Sequence, residues 1–267
     1  YRSAKEVLAE VKSLAKKNYK EIILIAQNVN SYKSGKIDFA DLLKLVNDIK
    51  GDFCIRFITS HPKDMSDKLI KVIVSSKKVC HHIHLPAQAG DDKVLRAMNR
   101  KYSIKHYVNL IKKIRRAMPD ASLTTDIIVG FPGETKKQFD NSAKLMKQVK
   151  FDLAYIVRYS PRPGTAAFKM ADNVSQAEKK RREEKLMKIL RQTALDNNKK
   201  YIGKMVRVLA EGKNKRNELF GSTETAKAVK ISNASGNGRL VGKFVNVKIS
   251  KAQDFGLAGE IINKYEK

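Results

Sequence analysis

The chain has 267 residues, of which 42% are hydrophobic, 14 are glycine and 6 are proline. This composition excludes a disordered or collagen-like protein, and no run approaches the ~18 apolar residues of a membrane span. Lysine and arginine outnumber aspartate and glutamate by 55 to 27, a net charge of +28. Such an excess favours a polyanionic partner, nucleic acid ahead of an anionic membrane, although lysine-rich compositional drift would also produce it. Two cysteines, Cys54 and Cys80, far apart in the sequence, indicate a reducing compartment.

Helix and strand patterns alternate along the first 160 residues. Helices are predicted where apolar residues recur at helical spacing behind a capping residue, and buried strands where short apolar runs occur. The predicted helices begin near Ser3, Asp38, Met65, Ser103 and Thr135, and the predicted strands cover 22–25, 53–58, 83–85, 123–129 and 151–157. This alternation predicts right-handed βαβ units and a parallel sheet or barrel. Because a helix comes first, we expect at least one further strand before Tyr1, which would make the chain a fragment.

The pattern changes in the last third of the chain. A helix is predicted from Ser175 through Ala194, and its basic run at 179–182 is expected to be a solvated helix face rather than a phosphate site. Short strands at 205–209, 226–231, 240–241, 244–249 and 257–262, separated by glycines, predict a small antiparallel barrel. The predicted units are therefore an α/β domain over 1–173, a connecting helix over 174–200 and the small barrel over 201–267.

Polar residues and glycines follow each of the five predicted parallel strands, whereas the helix-to-strand connections are short and rich in lysine. Ligands of parallel α/β folds bind at the carboxyl ends of the strands, so this edge is predicted to carry the active face. The sequence has no P-loop, no GxGxxG, no catalytic triad pattern and no carboxylate pair placed for hydrolysis. His81, His82 and His84 match no zinc spacing, and we expect strand-end packing, with His82 and His84 on one face.

Six segments closely resemble the radical SAM methylthiotransferases. They are QNVNSY (27–32), TSHP (59–62), HIHLP (82–86), MNR (98–100), DIIVGFPGET (126–135) and YSPRPGT (159–165). The most similar branch of the family modifies isopentenyl-adenosine beside the anticodon of tRNA. The segment from Gly203 and Lys204 onward looks like the TRAM domain that ends these enzymes. The resemblance covers essentially the whole chain, although GFPGE alone is shared widely among radical SAM enzymes.

The resemblance implies an α/β fold: a partial TIM-type (βα)6 radical SAM barrel lacking its first strand, followed by a small all-β, OB-like TRAM barrel. It implies S-adenosylmethionine as cofactor, a 4Fe-4S cluster on a CxxxCxxC loop, and a second 4Fe-4S cluster on an N-terminal domain. The implied activity adds a 2-methylthio group to the adenosine, in the cytoplasm, with the anticodon stem-loop of tRNA as partner and no membrane. This sequence has no CxxxCxxC, so both clusters are expected only in a full-length parent. The chain alone is expected to be inactive, with no catalytic or metal-ligating residue.

The resemblance also assigns cofactor contacts to individual residues. Gln27 and Asn28 stand where radical SAM enzymes usually hold the methionine amino group. Gln88, Arg100 and Asp126 match positions that contact S-adenosylmethionine in similar barrels. Arg100 is the natural carboxylate partner because a guanidinium pairs bidentately, the other possibility being a surface helix arginine.

Further residues are assigned to the border of the site and to RNA. Tyr159 and Arg162 are expected to border the substrate or the cofactor. The RNA-phosphate candidates in the small barrel are Lys204, Lys213, Lys215 and Arg216. Because this barrel lacks tryptophan and any aromatic ladder, we expect it to hold phosphates and backbone shape.

Two other interpretations remain open. Sister methylthiotransferases act on threonylcarbamoyl-adenosine in tRNA or on an aspartate of a ribosomal protein, but the segments at 28–32 and 98–100 favour the isopentenyl-adenosine branch. A non-catalytic RNA-binding module would explain the missing cluster loop, but the intact loops of the ligand face argue against it.

Overall fold

The computed structural model describes residues 1–232 and 238–262 of the chain. Its first part consists of helices α1 (Ala4–Lys16), α2 (Phe39–Asn47), α3 (Asp67–Ser75), α4 (Asp92–Ala97), α5 (Ile104–Ala117) and α6 (Lys136–Val149), and strands β1 (Glu21–Leu24), β2 (Lys33–Ser34), β3 (Ile37–Asp38), β4 (Cys54–Phe57), β5 (His82–His84), β6 (Ser122–Val129) and β7 (Leu153–Arg158). The helix starts predicted at Ser3 and Thr135 are confirmed, and each of these residues forms a capping box. The helix expected from Met65 begins at Asp67 instead, because Ser66 is its N-cap.

Five parallel strands form an arc in chain order. β1 pairs with β4, and β5 pairs with β6, which pairs with β7. A parallel bridge between Ile55 and Val79 joins the two groups. The predicted partial barrel is therefore confirmed. Among the described residues, no helix is long and apolar enough to cross a bilayer.

Alternation of side chains gives the arc two faces. On β6, Thr125 and Ile127 are fully buried toward the helices, in a core with Leu43, Ile83 and Phe139. The opposite, concave face carries residues that no helix covers, and it leaves apolar side chains exposed: Ile23, Ile25, Tyr155 and Val157. The concave face is the lumen of the partial barrel.

The second part is a closed five-stranded barrel of β8 (Met205–Lys213), β9 (Leu219–Thr223), β10 (Ala228–Ser232), β11 (Phe244–Gln253) and β12 (Gly256–Ile261), in the order β10-β12-β11-β8-β9. The strand predicted at 240–241 is wrong, because Leu240 ends a short 3-10 turn. The sequence also missed β9, and the barrel is not wholly antiparallel, because β10 and β12 are parallel. Residues 233–237 and 263–267 of the predicted second domain lie outside the described residues.

Helix α7 (Gln176–Lys199) joins the two parts. Its Leu186 and Leu190 belong to the core of the first part. Near its other end, the side chain of Asn198 donates to the carbonyls of Gln253 and Asp254 at 2.8 and 3.1 Å. Lys227 pairs with Asp152, which directly precedes β7, and Arg56 of β4 donates to the carbonyl of Thr223, so the second barrel lies against the amino-terminal ends of the parallel strands.

Candidate functional site

The segments that follow β1 and β4 are bound to each other. Asn30 donates to the carbonyl oxygen of His61 at 3.0 Å and accepts from its backbone N–H at 2.9 Å. The amide nitrogen of Asn28 donates to Asp64 at 2.7 Å, while its Oδ1 is buried with no hydrogen-bond partner among the described residues. Gln27 beside it is exposed. Within the described part of the chain, Asn28 therefore has an unsatisfied, buried acceptor at the carboxyl end of β1.

The loop after β5 lies against β6. Gln88 is buried with φ +64°, and its backbone exchanges hydrogen bonds with the carbonyl of Asp126 and the N–H of Ile128 at 2.8 and 2.9 Å. The carboxylate of Asp126 is partly exposed and lies 3.5 Å from Nε2 of His84. The structure thus brings Gln88 and Asp126 together through their backbones, and their contact with the cofactor stays a prediction.

Arg100 follows α4 and lies near the loops at the carboxyl ends of the parallel strands, which we call the polar rim. Its guanidinium has no hydrogen bond or ion pair with any residue that the structure describes, although its side chain is partly buried. Burial first, and then the positive charge of Arg100, lower the pKa of His61. Burial also raises the pKa of Tyr102 to about 12, and Arg100 opposes this rise. Arg100 is therefore a cation held near the end of β4 and open to an anionic group.

The loop at 130–134, which follows β6, packs against Lys179 and Arg182 of α7. The N–H of Gly130 donates to Oε2 of Glu134 at 2.7 Å, and the same oxygen accepts from Nη1 of Arg182 at 2.7 Å. Arg182 also donates to the carbonyl of Glu134 at 3.0 Å. Gly130 has φ +70°, and a Cβ there would collide with the side chain of Lys179. The loop conformation therefore depends on two residues of the connecting helix.

The prediction that 179–182 is a solvated helix face is wrong for two of its residues. Lys179 is fully buried, with Nζ 2.6 Å from Asp172, and Arg182 is 4% exposed. They lie on the helix face that continues through Leu186 and Leu190. Their spacing relative to those leucines was the sequence signal that could have placed them inside.

Tyr159 supports the same loop from the end of β7. Its hydroxyl donates to the carbonyl of Ala167 at 2.8 Å, and its ring lies edge-on to Phe131 with centroids 5.2 Å apart. The hydroxyl is thus already bonded within the protein. Arg162 is exposed in the loop that follows.

The lumen contains a cavity of about 460 Å³ beside the site, lined by His82, His84 and Thr124 of the parallel strands. Nε2 of His82 and Nδ1 of His84 both lie within hydrogen-bonding distance of the Thr124 hydroxyl, at 3.1 and 2.9 Å, which confirms that the two histidines share a face. Burial, reinforced by Arg56, lowers the pKa of His82 to about 3. Residues 226–228 and 254–256 of the second barrel form the floor of this cavity.

The residues that the structure describes contain no cluster of three or more His, Cys, Asp or Glu side chains able to hold a metal. Cys54 and Cys80 are buried free thiols at the amino-terminal ends of β4 and β5, opposite the site. The neighbouring Cys80 thiol, and then burial, raise the pKa of Cys54.

The four RNA candidates do not form one group. Lys213, Lys215 and Arg216 are exposed in and beside the hairpin that joins β8 to β9. Lys204 instead lines a crevice between the two parts, with its Nζ 6.0 Å from the ring centroid of Tyr201.

Two family models match the chain. The model of the radical SAM superfamily matches residues 1–146, and that of the TRAM domain matches residues 199–262. A solved structure described as coproporphyrinogen III oxidase (HemN) from Escherichia coli, a radical SAM enzyme, has a TM-score of 0.56 at 17% identity. The match covers 71% of this chain and 46% of that chain. At this identity the likeness supports the fold alone.

Curated relatives are much more similar in sequence. The chain is 47% identical over 268 residues to a protein of Thermoanaerobacter pseudethanolicus named tRNA-2-methylthio-N(6)-dimethylallyladenosine synthase, covering 98% of this chain and 56% of that protein. It is 45% identical over 264 residues to a protein of the same name from Clostridium tetani, covering 97% of this chain and 58% of that protein. The chain therefore spans little more than half the length of these relatives.

Proposed function

The chain belongs to the radical SAM superfamily, and from this we propose that it is part of a tRNA methylthiotransferase that adds a 2-methylthio group to isopentenyl-adenosine next to the anticodon. The observation that carries the proposal is the 47% identity over 98% of the chain to a relative of that name. The joined loops at the carboxyl ends of the parallel strands support it, since a module that only bound RNA would not need them. We place the reaction in the cytoplasm, with no membrane partner.

The residues of this chain fit S-adenosylmethionine, which supplies the radical chemistry when it is bound. Arg100 binds the carboxylate of its methionine part, because its guanidinium has no partner of its own among the described residues and can pair bidentately. Asn28 accepts a hydrogen bond from the amino group through Oδ1, since its amide nitrogen is fixed on Asp64. Gln27, Gln88 and Asp126 complete the polar rim of this site.

The residues do not fit an iron–sulfur cluster. Cluster irons need several thiolates, and the only two cysteines lie buried at the opposite ends of their strands. The 4Fe-4S clusters of the proposed enzyme would therefore be held by parts of the longer protein outside this chain, and we derive no step through them.

The remaining residues exclude water and hold the RNA. The loop at 130–134 brings backbone close to the cofactor, with Tyr159 and α7 fixing its shape. The second barrel closes the base of the lumen, so that a base entering from the mouth meets a closed cavity. The anticodon stem-loop is held through its phosphates by Lys213, Lys215 and Arg216 at the β8–β9 hairpin, while Lys204 offers a separate phosphate contact in the crevice between the two parts, and the adenosine is selected at the carboxyl ends of the parallel strands.

The test is the modification state of tRNA. We expect disruption of the gene that encodes this chain to remove 2-methylthio-isopentenyl-adenosine from bulk tRNA, with isopentenyl-adenosine accumulating, as measured by mass spectrometry of nucleosides. Complementation with the full-length gene should restore it. Loss of the methylthio group from threonylcarbamoyl-adenosine, or from a ribosomal protein, would assign the chain to a sister family instead. Unchanged nucleosides and proteins would refute the methylthiotransferase proposal and favour a non-catalytic module.

The cofactor site is tested with Arg100→Ala in the full-length, cluster-loaded protein. Removing a charge-assisted hydrogen bond costs about 1.5–3 kcal/mol, so binding of labelled S-adenosylmethionine should weaken roughly tenfold or more. Arg96→Ala, an exposed arginine on α4, is the matched control and should bind as the unmodified protein does. If Arg100→Ala bound S-adenosylmethionine as tightly as the unmodified protein, Arg100 would be a surface arginine with no role in the site.

A further inference from the structure

An aromatic ring lies on the outside of the second barrel, on strand β9. Phe220 is 38% exposed, whereas Leu219 and Gly221 on either side of it face the barrel core. Single exposed apolar side chains are common and by themselves indicate nothing. The surroundings of this ring, however, are unusual in both shape and charge.

The ring lies over a glycine on the neighbouring strand. Gly212 pairs with Phe220 next to a bulge in β8, and a Cβ on Gly212 would touch Cε1 and Cζ of the ring at 3.4 Å. On the other side, Phe220 pairs with Lys230 of β10. A flat aromatic surface is therefore held at the outer face of the sheet, with small or polar neighbours that do not cover it.

The charge around the ring is predominantly positive. Lys213, Lys215 and Arg216 stand in and beside the hairpin that leads into β9, and Lys230 lies across the strand pair. Two carboxylates offset these four cations in part: Lys230 lies 2.6 Å from Glu218, and Glu211 accepts from Ser222 at 2.5 Å.

The hairpin is held in one shape by the side chain of Asn214. Its Oδ1 accepts from the backbone N–H groups of Arg216 and Glu218 at 2.9 and 3.0 Å, and its Nδ2 donates to the Glu218 carboxylate at 2.8 Å. The cations are therefore presented from an ordered turn, at a fixed place beside the ring. An ordered cationic turn next to an open aromatic ring matches a nucleotide, whose phosphate and base need both at once.

We propose that the outer face of β9 is a stacking platform on which Phe220 receives one unpaired RNA base, while the cations of the β8–β9 hairpin hold the adjoining phosphates. The proposal rests on the RNA substrate of the proposed function and adds to it. It also departs from the expectation that the second barrel holds phosphates and backbone shape only. The platform predicts that this domain distinguishes single-stranded or loop RNA from a paired helix, because only an unpaired base has a free face to stack.

The experiment measures binding of the full-length protein to two RNAs at several salt concentrations: an anticodon stem-loop and a blunt duplex of the same length. Phe220→Leu keeps an apolar side chain of similar size but removes the aromatic face, and Phe220→Tyr restores it. We expect Phe220→Leu to weaken stem-loop binding roughly tenfold with an unchanged salt slope, and Phe220→Tyr to bind as the unmodified protein does. Binding of the duplex should be unchanged in both. Replacing Lys213, Lys215 and Arg216 by alanine should instead reduce the salt slope for both RNAs, by about 0.7–0.9 for each phosphate that the protein no longer neutralises.

The possible results separate the platform from the function on which it rests. Unmodified stem-loop affinity in Phe220→Leu overturns the platform alone, and so does an equal loss for the duplex. If the unmodified protein binds neither RNA, the platform falls together with the RNA substrate of the proposed function. Thermal unfolding of each variant, compared with the unmodified protein, distinguishes loss of stacking from loss of fold.

Discussion

Replacing Arg182 by methionine should leave the carboxylate of Glu134 buried without its cation. The side chains of this pair are 5% and 0% exposed, and Oε1 of Glu134 has no partner among the described residues. Only the N–H of Gly130 would remain on the other oxygen. Breaking a buried pair by removing one partner costs about 3–5 kcal/mol. For a chain of this length, a loss of about 3 kcal/mol lowers the melting temperature by about 6–12 °C.

The penalty should depend on pH in a defined direction. Burial raises the pKa of Glu134, while Gly130 and Arg182 lower it, so removal of Arg182 should raise it further. An acid whose pKa is raised in the folded state stabilises the fold below that pKa, and the stability is lost as the pH rises through it. The destabilisation by Arg182→Met should therefore be largest near pH 8 and should shrink toward pH 5, where Glu134 takes up a proton.

Urea unfolding of the unmodified chain and its variants at pH 8 and pH 5 measures both effects. Lys185→Met on the same helix breaks a more exposed pair with Asp140 and should leave the midpoint nearly unchanged. The double variant Arg182→Met with Glu134→Gln should recover part of the loss, because no buried charge remains. A loss for Arg182→Met no larger than that for Lys185→Met, or one that is equal at the two pH values, would refute the buried-pair argument.

Two other groups give testable effects on stability. His82 has its pKa lowered to about 3 by burial, so the unfolded chain binds a proton below about pH 6.5 that the folded chain refuses, and stability should fall as the pH drops from there toward 3. His82→Asn should reduce this fall of the unfolding free energy between pH 6.5 and pH 3. An unchanged fall would mean that other groups cause it. Gly221→Ala should unfold the second barrel, because a Cβ would collide with the backbone of Leu209, whereas Gly242→Ala meets open space and should cost only the strain of a positive φ; circular dichroism of the two variants tests the difference.

The order of the parallel strands could be predicted because it follows directly from local patterns. Each short apolar run between capped helices became a strand, and consecutive strands became neighbours in the arc. The second barrel was predicted less well, because the pairing of its strands depends on how the five-stranded sheet closes on itself and not on local patterns. The segment 219–223 has a glycine at its centre and no simple alternation, yet it becomes β9 since Gly221 allows the close approach of β8. Leu240 and Val241 have strand-like side chains but lie at a turn.

For the candidate site too, the local features could be predicted from the sequence and the long-range contacts could not. The polar residues at the carboxyl ends of the strands could be singled out from the sequence, because ligand-binding residues of parallel folds follow the strands, and their role stays a prediction. The contacts that hold the rim could not, since they join distant segments: Asn28 to Asp64, and Glu134 to Arg182. A lysine and an arginine in a charged helix were therefore assigned to solvent. Only the tertiary structure supplies the carboxylates that make their burial favourable.

Helix α7 links the two halves of the proposed enzyme by direct contact. Its first turns fix the loop at 130–134 through Arg182, and its last turns fix the second barrel through Asn198. With 24 residues at 1.5 Å each, the helix spans about 36 Å. The second barrel in turn forms the floor of the lumen, and Lys227 reaches Asp152 of the first part at 2.5 Å. If the second barrel binds RNA as proposed, these contacts would hold that RNA at a fixed distance and angle from the proposed cofactor site.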